Sequence, residues 1–127
     1  MKEITIFTAP KPFVNPHIRM IQRNAIRSWK ALGEQVEIYL IGDEPGIREA
    51  ADELGVGFIP EVGRNASGTP LISSIFEVAR QRSQAKLLAY VNADILLMQS
   101  FLTGAQAAAA QKEKFLVVGR RWDLDVL

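Results

Sequence analysis

The sequence contains no cysteine and a single histidine, His17. These shortages exclude a disulfide framework, a thiolate metal site, a cysteine nucleophile and any motif built on two histidines. The lack of cysteine agrees with a reducing compartment. Long hydrophobic runs are missing too: Leu87 to Val91 and Ile95 to Met98 fall far short of the roughly 20 apolar residues that a helix needs to cross a bilayer. Nor is there an excess of one charge. Fifteen basic residues against 14 acidic ones leave a net charge of +1, which gives no ground for a nucleic-acid partner. The first residues show no basic patch followed by an apolar core; Glu3-Ile4-Thr5-Ile6-Phe7 alternates at once, so no export signal is expected and the expected location is cytoplasmic.

What is present is the composition of one globular domain over residues 1–127, with 48% hydrophobic and 23% charged residues. Short runs rich in β-branched and aromatic residues predict strands at Ile4 to Phe7, Val36 to Ile41, Gly57 to Ile59, Lys86 to Val91 and Phe115 to Val118. Helical patterns lie between them. Asn15 is a good N-cap and Pro16 a good first helical residue, after which Ile18, Ile21, Ala25, Trp29 and Leu32 share a face until Gly33. Arg19, Arg23, Arg27 and Lys30 fall on a different face, expected to be solvated, although a partner-binding role stays open. A second helix is expected from Gly46 to Leu54, and a third capped by Thr69 and Pro70, with Leu71, Ile72, Ile75, Phe76 and Ala79 inward. A fourth runs from Ser100 to Lys112. Strict alternation of strands and helices predicts an α/β fold, three layers deep, with a mainly parallel sheet between helices.

Ligands of such sheets gather at the carboxyl ends of the strands. The absent motifs narrow the choice there. The segment after strand one has two prolines and no glycine, so the G-x-G-x-x-G of a dinucleotide site is missing. Gly63 to Gly68 has the spacing of a P-loop, but Thr69-Pro70 follows it where a lysine is required. Asn65-Ala66-Ser67 satisfies the glycosylation sequon, which carries no weight without an export signal.

The strongest constellation is Tyr90-Val91-Asn92-Ala93-Asp94-Ile95-Leu96, a strand that exits into two polar residues and resumes its apolar character. In an extended segment Asn92 and Asp94 would point the same way and converge on one ligand. A hard cation such as Mg²⁺ needs only one or two carboxylates when phosphate and water supply the rest. The alternative is that Asp94 caps the following turn and Asn92 bonds to backbone.

The order of these features resembles the N-terminal, nucleotide-binding half of GT-A type glycosyltransferases: a strand ending in a Thr/Ala/Pro loop, one ending in an acid, and one ending in a D-x-D variant. The resemblance covers nearly the whole chain, and its most specific parts are Tyr90 to Leu96 and Val118-Gly119-Arg120-Arg121-Trp122-Asp123-Leu124-Asp125. It implies a Rossmann-like nucleotide-diphospho-sugar transferase fold and a nucleoside-diphosphate sugar as donor, with an unknown acceptor. Thr8, Ala9 and Pro10 would border the base, and Asp43 would contact base or ribose, unless it serves as a turn or N-cap residue. Arg64 and Asn65 would reach the ribose or diphosphate, unless they form a surface loop. Asp94 would bind Mn²⁺ or Mg²⁺, while Asn92 departs from the family by placing an amide at the first D-x-D position. Arg121, Trp122, Asp123 and Asp125 would lie near the donor and acceptor sugars, against the alternative of a solvated tail. The acceptor half of such an enzyme is not in the sequence, so it stays open whether this is the N-terminal part of a longer enzyme. The competing expectation is a non-catalytic nucleotide-binding or assembly module, a homo-oligomer among its forms. A sugar nucleotidylyltransferase fits poorly, because Thr8 to Phe13 has no glycine to cradle a triphosphate.

Overall fold

A computed structural model describes residues 3–111, the last four by their helical backbone alone. The expected strand at Phe115 to Val118 lies outside the described residues, as do Arg121, Trp122, Asp123 and Asp125.

The elements follow in the order β1 (Ile4–Thr8), α1 (Pro16–Lys30), β2 (Val36–Ile41), α2 (Ile47–Leu54), β3 (Gly57–Ile59), α3 (Ile72–Arg82), β4 (Leu87–Tyr90) and α4 (Gln99–Gln111). All pairings in the sheet are parallel and the strand order is β3-β2-β1-β4. β1 is buried along its whole length because it has a strand on each side and helices on both faces. Successive side chains of a strand point to opposite faces. Ile4 and Ile6 accordingly join a core with Ala25, Ile26 and Trp29 of α1, Ile47, Ala50 and Leu54 of α2, and Leu102 of α4. Phe7 faces the other way, onto Ile75 and Ala79 of α3. This is the three-layer α/β arrangement expected from the alternation of elements.

The chain steps outward from β1 to β2 to β3 with α1 and α2 on one face, then crosses back past β1 to β4 with α3 on the opposite face. A constant crossover hand requires that change of face when the direction reverses. The reversal falls between the carboxyl ends of β1 and β4, the crevice position at which open parallel sheets bind their ligands.

Local chemistry explains the boundaries. Asn15 Oδ1 accepts from the backbone N–H of His17 and Ile18, and Pro16 opens α1 where a donor is not needed. The buried stripe of α1 is rotated from the expected one: Gln22, Ala25, Ile26 and Trp29 are buried, whereas Ile18 and Ile21 are half-buried. α3 begins at Ile72, not at Pro70 as expected. Pro70 pairs instead with Arg64 in an isolated antiparallel bridge, flanked by the bonds Asn65 N to Thr69 O at 2.9 Å and Leu71 N to Gly63 O at 2.8 Å. A helix could not start there without breaking that loop.

Candidate functional site at the carboxyl ends of β1 and β4

The β1 wall of the crevice is Thr8-Ala9-Pro10. Thr8 is fully buried, and its Oγ1 has no hydrogen-bond partner among the described residues. Buried hydroxyls without partners are uncommon because desolvation goes uncompensated. Tyr90, the last residue of β4, stands across from Phe7 in the register and touches its ring edge-on at 5.7 Å. Burial raises the Tyr90 phenol above its ordinary pKa, while the Ala9 backbone and the nearby Thr8 hydroxyl offset part of that rise.

The β4 wall corrects one expectation. Asn92 to Ile95 is a turn closed by Ile95 N donating to Asn92 O at 3.1 Å, not an extended continuation of the strand. The same-side argument for Asn92 and Asp94 therefore fails, since residues two apart share a face only while the backbone is extended. Both are exposed on that turn. Among the described residues no group of three or more His, Cys, Asp or Glu is placed to hold a metal ion. The donor set at the crevice is one carboxylate and one amide oxygen. Such a set fits Mg²⁺ or Mn²⁺ only where a ligand's phosphate oxygens and water complete the shell.

α1 holds both walls. Gln22, 3% exposed, clamps the first: its Oε1 accepts from Lys11 N at 2.7 Å and its Nε2 donates to Lys11 O at 2.9 Å. Two turns on, Trp29 Nε1 donates to Ile95 O at 2.9 Å, and Ser28 Oγ accepts from Leu97 N at 3.0 Å. Phe13 N donates to Pro45 O at 2.8 Å, tying the first wall to the start of α2. Gly46 lies there at φ +87, where a Cβ would come within 2.7 Å of Phe13 Cβ, so only glycine fits.

A second cluster joins the ends of β2 and β3. Gly42, at φ +107, turns the chain so that Asp43 and Glu44 both accept from Arg64 Nη2, Asp43 at 3.2 Å. Arg64 Nη1 donates to Gly68 O at 2.9 Å. Asn65 Oδ1 accepts from Ser67 N and Thr69 N, at 2.9 and 3.0 Å. The side-chain oxygen of Asn65 is thus committed to its own loop, as the surface-loop alternative had it, and Arg64 is committed to two acids and that loop. Asp43 stays largely exposed, with 72% of its side-chain area accessible.

The residues expected from the sequence therefore form two groups, Thr8, Ala9 and Pro10 with Asn92 and Asp94 at the β1 and β4 ends, and Asp43 with Arg64 and Asn65 at the β2 and β3 ends. Sequence reasoning misses Gln22. Its signal is a lone polar residue four positions after Ile18 and three before Ala25, in the apolar stripe itself. Tyr90 reads in the sequence only as a strand residue. Neither the models of known protein families nor the curated proteins include a match to this chain.

Proposed function

We propose that the chain binds a nucleoside-diphosphate sugar in the β1/β4 crevice and serves as the donor side of a GT-A type glycosyl transfer. The observation that carries this reading is the reversal of strand order at β1, which puts Thr8-Ala9-Pro10 beside the turn bearing Asp94 at the end of the sheet where such folds take nucleotides. In this reading the base lies against Ala9 and Pro10, Asp43 reaches the ribose, and the diphosphate sits over the Asn92–Ile95 turn. Asp94 would hold Mn²⁺ or Mg²⁺ there. The cation's chemistry is neutralisation of charge on the departing diphosphate.

Calorimetry with UDP and GDP, with and without Mn²⁺, tests the reading on the wild type and Asp94→Ala. Binding that strengthens with Mn²⁺ in the wild type and loses that gain in Asp94→Ala is the expected result, a loss of about tenfold or more for one removed charged ligand. No binding of either nucleotide, with or without the cation, overturns it.

A further inference from the structure

The outer surface of α1 carries a feature that donor binding does not use. Arg19, Arg23 and Arg27 recur every four residues and so form one row, spanning about 12 Å at the rise of an α-helix. No acidic residue occurs anywhere in α1. The row lines an open cleft of about 370 Å³ together with Val14 and Met20, which are 68% and 53% exposed. Arg19 and Arg23 also line an adjoining cleft of about 290 Å³, on the side of α2. Thr8, Ala9, Pro10, Asn92 and Asp94 line neither cleft.

Two carboxylates face this row from α2, Glu49 and Glu53. Glu53 pairs with Arg23, and its carboxyl is held below the ordinary range chiefly by that hydrogen bond, with the fields of Arg19 and Arg27 adding to it. Glu53 holds Arg23 through both terminal nitrogens, which leaves Arg19 and Arg27, both exposed, as the cations of the row that face a partner. Arg23 is sunken, with 14% of its side-chain area accessible, while Val14 and Met20 stand proud. A projecting carboxylate side chain over this cleft reaches Arg19 or Arg27, and small apolar side chains beside it cover Val14 and Met20.

We propose that this face of α1 is a docking site for an acidic peptide segment of a partner protein, with glutamate or aspartate side chains on the arginine row and apolar ones on Val14 and Met20. Charge complementarity and the concave, part-apolar shape select that chemistry.

The test uses the whole chain and fluorescent short peptides that carry glutamate at every fourth position and differ in the apolar residues between, read by anisotropy at moderate salt. Members of the set should bind, and Arg19→Glu with Arg27→Glu should weaken them by about a hundredfold, about tenfold for each charge-assisted hydrogen bond removed. Met20→Ser, which leaves every charge in place, should weaken them severalfold. Arg80→Glu on the exposed side of α3 should leave affinity unchanged, and UDP or GDP binding should be the same in all these variants. The proposal is overturned if no peptide binds better than its glutamine-for-glutamate counterpart, or if Arg80→Glu weakens binding as much as the double variant. Vesicles of anionic lipid binding where the peptides do not, in a way that the double variant abolishes, also overturn it.

Discussion

At the scale of single residues, the side chains that matter most for the crevice are those that hold its walls. Gln22 satisfies both backbone polar groups of Lys11 from a buried position. Replacing it with alanine leaves a donor and an acceptor without partners, a cost of about 1–3 kcal/mol for each group that stays buried. Chemical denaturation should show Gln22→Ala destabilised within that range, with an unchanged slope. Glu53 gives a pH-dependent effect. Its carboxyl is held below the ordinary value of 4.5 by the Arg23 hydrogen bond. Stability from that pair is present above the unfolded-state value and is lost as pH falls through the lower folded one. Glu53→Gln should therefore flatten the acid limb of a stability-against-pH curve and leave the slope near neutrality as it is.

At the scale of elements, α1 works as a brace. Its buried side packs on the sheet, and three of its polar groups reach the two segments that flank the crevice. Trp29 is wholly buried, so Trp29→Ala should cost about 3–5 kcal/mol, read as a fall in the denaturation midpoint. Ser28→Ala is the sharper probe of the brace. It removes the acceptor for Leu97 N, so that amide should exchange hydrogen faster while the amides of β1 keep their protection.

Elements of this kind are legible in the sequence because their signals are local. Asn15-Pro16 marks the start of α1 through a cap and a missing donor, and both are found at work. Thr69-Pro70 carries the same signal and misleads. There the competing bonds come from Gly63 and Asn65, across a loop whose closure no local pattern records. The extended backbone expected at Asn92-Ala93-Asp94 is missing for a related reason: periodicity describes a strand but not where it ends, and the chain turns at Asn92. The rotation of the α1 stripe comes from Gln22, whose burial depends on a partner eleven residues away.

At the scale of the molecule, the parallel sheet follows from alternating elements, and its order β3-β2-β1-β4 brings β4 beside β1. That order gathers Thr8, Ala9, Pro10, Asn92 and Asp94 at the carboxyl ends of two neighbouring strands although the two groups lie more than 80 residues apart in the chain. Spacing along the chain names those residues as strand ends, whereas their adjacency depends on which strand neighbours β1, and the sequence holds no direct mark of that. The arginine row of α1 is visible as a pattern, but the adjoining cleft on its α2 side is a product of packing α1 against α2.

Backbone amide chemical shifts, followed while UDP or GDP is titrated with Mg²⁺ into the labelled chain, test the donor-site claim most directly. The account predicts that the largest changes fall on Thr8, Ala9, Asn92 and Asp94, with smaller ones at Asp43 and none along the arginine row of α1. Saturating nucleotide that leaves Thr8, Ala9, Asn92 and Asp94 unmoved would contradict it.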